Sequence, residues 1–139
     1  MNDVIERELV LAQPIERVWR ALTDPEELGT WFPDRCELDV RPGGTGTFGF
    51  DMDGGEHVAD VIVEAVDPMT RFAFSWGNAK APDDPKTLVE FTLEPTTAGT
   101  RLRLVESGFA KMADGDQQRA GNEEGWTIQL KCLEEHLVA

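Results

Sequence analysis

Between residues 36 and 107 apolar side chains recur at every second position, and from about Asp116 to Val138 they recur at helical spacing. That change of period is the strongest constraint on the fold. Phe48, Phe50 and Met52 alternate with Thr47, Gly49 and Asp51, and Phe72, Phe74 and Trp76 share one face of a later segment. Val89, Phe91 and Leu93 mark a further strand, and Leu102 and Leu104 mark the last. Residues 57–66 (HVADVIVEAV) return from a hairpin turn at Gly54-Gly55. Asp67-Pro68 and Thr97-Ala98-Gly99 turn the chain again, and the breaker-rich stretch 77–85 is a loop. Connections of this length join antiparallel neighbours. The expectation is a meander of about six strands.

The flanks complete the layers. Residues 4–11 (VIERELVL) put Ile5, Leu9 and Leu11 on one face of another strand. Pro14 sits at a helix start, with Ile15, Val18, Trp19 and Leu22 at i, i+3, i+4 and i+7. Asp24-Pro25-Glu26-Glu27 reads as a capping box for a second short helix running through Leu28 to about Trp31, ended by Pro33. In the final segment Trp126, Leu130, Leu133 and Leu137 form a narrow apolar stripe that must be buried on the sheet. The chain therefore reads as α+β: a curved antiparallel sheet of about six to seven strands, two short helices, and a long C-terminal helix across the concave face, one domain over 1–139.

Charge narrows the partners. Asp and Glu number 27 against 13 Lys and Arg, a formal charge of −14 that repels phosphate backbones and anionic lipid. Arg7, Arg20, Arg35, Arg41, Arg71, Arg101, Arg103 and Arg119 are scattered among acids, so no basic patch offsets it. Neither nucleic acid nor a membrane is expected as a partner. No apolar run is long enough to cross a bilayer, and the first eight residues carry no basic-then-apolar signal pattern. The two cysteines, Cys36 and Cys132, have no C-x-x-C spacing, which fits a reducing cytoplasm and small core residues better than a disulfide framework.

Gly44-Thr45-Gly46-Thr47-Phe48-Gly49 matches G-x-G-x-x-G, but a strand pattern follows it where a phosphate-binding version needs a helix. The glycines are expected in turns and strand bulges. His57 and His136 lack ligand-spaced partners and are read as surface or rim residues, so neither a metal nor another cofactor is expected. Ser75 and Ser107 are not in a nucleophile elbow. No catalytic set emerges.

The long helix carries the most suggestive pattern. One heptad step back from Trp126 reaches Arg119, flanked by Asn122 and Glu123, so the inward stripe turns polar in its first turns. Gly121 and Gly125 lie there too, each costing about 1 kcal/mol relative to Ala in a helix interior. Two readings fit: Arg119, Asn122, Glu123 and Trp126 line a cavity mouth, or this end of the helix runs past the sheet edge into water. Glu106 follows Leu102 and Leu104 at period two and is expected on the concave face, where Arg119 would complete a buried ion pair. Asp60 shares a face with Val58 and Ile62, with a bulge as the device that would turn it out. Trp31, Phe32, Phe48, Phe50, Phe74 and Trp76 are candidate wall residues that also suit ordinary core.

These stretches resemble a known family. The run from Pro14 to Leu28, then Trp31-Phe32, Glu64-Ala65-Val66-Asp67-Pro68, Val89 to Pro95, Gly99-Thr100-Arg101-Leu102, Ser107-Gly108-Phe109 and Gly125-Trp126 before Leu130 and Leu133 resemble bacterial proteins similar to the C-terminal domain of the Hsp90 ATPase activator. The resemblance spans nearly the whole chain and implies the helix-grip fold of the START/Bet v 1-like superfamily. It transfers no catalytic residues. The eukaryotic co-chaperone uses a separate N-terminal domain for Hsp90, which a chain of this length does not accommodate, so ATPase activation is not expected. The expected function is binding of a small hydrophobic or aromatic metabolite in an internal cavity, with Trp31, Phe48, Phe50, Trp76, Glu106, Arg119, Asn122 and Trp126 as candidate contacts. Alternatives are a cyclase- or hydrolase-like enzyme with Glu106 or Asp60 as base and Arg119 as stabiliser, and a co-chaperone-type interaction module. A homodimer is compatible with all three.

Overall fold

The alternation of the sequence becomes one seven-stranded antiparallel sheet. The computed structural model describes residues 3–138. The strands are β1 (Val4–Leu11), β2 (Arg35–Leu38), β3 (Thr45–Met52), β4 (Gly55–Asp67), β5 (Arg71–Asn78), β6 (Thr87–Thr96) and β7 (Gly99–Ser107). They lie in the order β1-β7-β6-β5-β4-β3-β2, so every neighbour from β2 to β7 follows the chain, and only β1 joins out of sequence, at the far edge. Helices α1 (Ile15–Thr23) and α2 (Pro25–Trp31) carry the chain from one edge to the other. The helix α3 (Gly115–Val138) crosses the concave face.

Register decides which side chains meet beneath α3. Phe74 opposes Val89, Val89 opposes Glu106, and Glu106 opposes Ile5, which strings the four across the concave face. Trp76 opposes Thr87 and Val61 in the next row. All of these except Trp76 are buried, and Leu102, Leu104, Phe72 and Phe91 fill the rows below with no exposed surface. A bulge between Val63 and Ala65 shifts the register of β4 against β5, the device by which a sheet bends.

The three glycines of the G-x-G-x-x-G match are structural. A Cβ on Gly44 would sit 2.0 Å from the Asp39 carbonyl oxygen, and one on Gly46 would sit 2.0 Å from that of Glu37. At Gly49 a Cβ would meet Glu56 Oε2 at 3.0 Å and Arg35 Nε at 3.1 Å, because Arg35 crosses the strand there to reach Asp51 and Glu56. The chain continues into β4, with no helix for a phosphate to cap.

Two expectations about the helices change. Asp24 does cap α2, accepting from the Glu26 N–H at 3.0 Å, with Pro25 in the first turn. Glu27 does not complete the box. It takes Arg17 at 2.6 Å, Arg20 at 2.9 Å and His136 Nε2 at 2.8 Å. His136 is thus no surface histidine: it is mostly buried and ties α3 to α2. Trp19 is half-buried at the margin of the core. The four-residue β2 and a 3-10 turn at Phe109–Lys111, whose Phe109 is fully buried, had no assigned place in the sequence pattern.

Candidate functional site

Glu106 is a carboxylate with no exposed surface, on the strand that runs beneath α3. Burying such a group requires hydrogen bonds or a counter-charge. The expected ion pair with Arg119 is absent. Instead Trp76 Nε1–H donates to Oε2 at 2.9 Å and Thr87 Oγ–H to the same oxygen at 2.5 Å. Trp126 Nε1–H donates to Oε1 at 2.8 Å, and the Asn122 amide reaches both oxygens at 3.2 and 3.1 Å. An indole N–H can only donate, so this set complements a carboxylate acting purely as acceptor. Both oxygens of Glu106 are thus taken up by donors of the protein itself.

The four donors share a second property: each also lines a cleft of about 870 Å³ between the first half of α3 and strands β3 to β6. Its aromatic surface comes from Phe32, Phe50, Trp76 and Trp126, four rings with centroid separations of 5.0 to 6.1 Å along the chain Trp126–Phe32–Phe50–Trp76. Gln118, Gly121, Asn122, Gly125 and Gln129 form the helix wall. A Cβ on Gly121 or Gly125 would meet nothing within 4 Å. Of the four residues that the cavity-mouth reading placed here, Asn122 and Trp126 line the cleft, and Arg119 and Glu123 do not. The exposed residues lining the cleft, which form its rim, include His57, Asp34, Asp51, Asp84, Asp114 and Lys111.

Phe50, Trp76, Asn122 and Trp126 line the cleft, and Glu106 lies directly behind its wall. Trp31 and Phe48 do not line it. Trp31 stacks on Phe32 and donates its indole N–H to the Ala21 carbonyl at 2.8 Å, which locks it into the α1–α2 layer. Phe48 is fully buried against Phe32 and Phe74. Phe32 takes the wall position because the chain leaves helical geometry there, at φ −113° and ψ −93°. Arg119 turns to the β1 side of α3. It pairs with Glu123, which also takes Arg7 at 3.4 Å, and Arg119 Nε is buried without a partner among the described residues.

Asp60 departs further from expectation. Ala59, Val61 and Val63 are the buried residues of β4, so Asp60 and its face-mates Val58 and Ile62 lie on the outer side of the sheet. The bulge of this strand falls farther along, at Glu64, and leaves Asp60 on that side. Glu106, Asp60 and Arg119 therefore do not converge, and the acid–base arrangement that requires them to meet is not formed. Thr87 went unrecognised as a site residue. Its signal was period two back from Val89 and Phe91.

Cys36 packs against the core, where burial, helped by the neighbouring Glu37 charge, pushes its thiol up to about 11, the wrong direction for a nucleophile. Among the described residues no three His, Cys, Asp or Glu side chains are grouped to hold a metal ion, and no helix is long and apolar enough to cross a membrane.

Solved structures with this architecture are numerous. A Mesorhizobium loti protein is 32% identical over 96% of both chains, with a TM-score of 0.77. A Chromobacterium violaceum protein is 27% identical over 99% of this chain and 98% of its own, with a TM-score of 0.84. A Staphylococcus aureus protein of unknown function shares the fold at 16% identity and a TM-score of 0.81, over 96% of this chain and 92% of its own. A comparison with curated proteins finds no match. The family model described as "Activator of Hsp90 ATPase homolog 1-like protein" matches residues 12–138, and the chain belongs to that family.

Proposed function

We propose that this is a small-molecule-binding protein whose cleft accepts a hydrophobic or aromatic metabolite. The observation that carries the reading is the cleft of about 870 Å³ with its aromatic surface under a glycine-containing stretch of α3. Ligand sites are typically concave, of roughly 300–1,000 Å³, mostly apolar, with a few fixed polar groups. Phe32, Phe50, Trp76 and Trp126 supply the apolar contact, and Asn122, Gln118 and Gln129 supply the orienting groups. A helix in this position gains stability from alanine and core contact from leucine, so glycines over open space support a retained cavity.

The interaction-module alternative has less support. The large exposed apolar residues, Val10, Met52, Ile128 and Val138, are distributed over β1, β3 and α3. The test of the binding reading is a library of hydrophobic metabolites screened by thermal shift and tryptophan fluorescence. A ligand should raise the melting temperature and quench Trp76 and Trp126, and both responses should fall in a Gly121→Leu variant that fills the cleft. A flat response across the library would remove the reading.

A further inference from the structure

We infer that the cleft is selective for an organic cation, an aromatic or apolar body bearing a positively charged nitrogen. The inference rests on the proposed binding role and names the ligand class for the same site. Glu106 is the first observation. It is completely buried, all its partners are neutral donors, and no ion pair to it forms among the described residues. A buried carboxylate without a counter-ion is an unbalanced negative charge in a medium of low dielectric. Two of its donors, Trp76 and Trp126, are also wall residues of the cleft. A cation lying against those rings would sit one side chain away from the carboxylate.

The rings themselves are the second observation. A cation over an indole face is attracted by the ring quadrupole. An indole whose N–H donates to a carboxylate is polarised in the direction that makes its face more negative, and both tryptophans do so. The mouth is the third. Asp84 and Asp114 are exposed there without a side-chain partner among the described residues, against the single Lys111, on a chain of net charge −14. An approaching cation is drawn in, and an anion of the same shape is turned away.

The test is calorimetric titration of the full chain with three probes of one shape: naphthylmethyl-trimethylammonium, its neutral carbon isostere neopentylnaphthalene, and naphthylmethanesulfonate. The cation should bind about tenfold tighter than the neutral isostere, and the anion should not bind detectably. In Glu106→Gln the cation's advantage should shrink several-fold while the isostere's affinity holds. Because that variant touches the core, a second one, the exposed pair Asp84→Asn with Asp114→Asn, should weaken only the cation, and only at low salt. An isostere that binds as tightly as the cation overturns the charge preference and leaves the binding role standing. Failure of all three probes to bind overturns both.

Discussion

The two halves of α3 face the same sheet and are built on opposite principles. In the second half Leu130, Leu133 and Leu137 are between 0 and 6% exposed and join the hydrophobic core, on a helix that packs against α1, α2 and β1. In the first half, Gly121 and Gly125 face open space, and Asn122 and Gln118 stand on a cleft walled by β3 to β6. Helix propensity runs against the first half by about 1 kcal/mol per glycine. One half stabilises the fold and the other forgoes stability around a cavity, and Trp126 marks the boundary. Its ring is buried like the leucines, yet its indole N–H serves the Glu106 network.

That boundary is where the comparison breaks most severely. Glu106→Ala removes the acceptor for Trp76, Thr87, Asn122 and Trp126 together. Thr87 and Asn122 can turn to water in the cleft, but the stranded indole donors cost about 1–3 kcal/mol each, a loss of roughly 4 kcal/mol in chemical denaturation. A loss below about 1 kcal/mol would mean that the network contributes little to closing the helix onto the sheet. Leu133→Ala, wholly within the sealed half, should cost about 3 kcal/mol from lost burial and the cavity left behind. Alanine has the opposite effect in the other half: Gly121→Ala and Gly125→Ala each should stabilise by about 0.5–1 kcal/mol, since the added methyl meets nothing. Thermal melts of the three variants side by side are the measurement. If the glycine variants lose stability, the first half of α3 is not an open wall.

The sheet and the helix were legible because both periods are long. Phe48 to Leu104 alternates over strand after strand, and Trp126 to Leu137 repeats over three turns, so local errors average out. The four residues of β2 are too few for that. Within the site, face assignment worked where period two is strict: Phe50, Trp76 and Glu106 all point to the concave side. It misled where geometry turns on one residue. Of the two candidate wall residues Trp31 and Phe32 only Phe32 reaches the cleft, because α2 ends between them, and the stripe through Arg119 and Asn122 divides, one toward Glu123 and Arg7, the other toward Glu106. A helical stripe spans an arc of roughly 100°, wide enough to hold both directions. Partner choice among polar side chains was least legible: sequence spacing shows that Glu27 stands third in a helix, but not that Arg17, Arg20 and His136 from two other helices converge on it.

Glu27 gives the smallest effect and probes the sealed half from outside. Burial pushes its carboxyl up, but the bonds from His136, Arg17 and Arg20 outweigh burial and hold it below the ordinary glutamate value of 4.5. A carboxyl depressed in the folded state adds stability that is fully present above its unfolded value, and lost as pH falls through the folded one. The contribution should therefore be intact at neutral pH and fade as pH drops below about 4.5. Arg20 is largely exposed, so solvent screens part of it, and the total is on the order of 1 kcal/mol or less. Glu27→Gln should lower the melting temperature at pH 7 and converge with the wild type in acid. Because His136 anchors the last turns of α3 to α2, the loss should appear first as faster amide exchange around Leu133 and Leu137, while exchange around Gly121 stays unchanged. Equal acceleration along the whole helix would mean that the two halves of α3 open as a single unit.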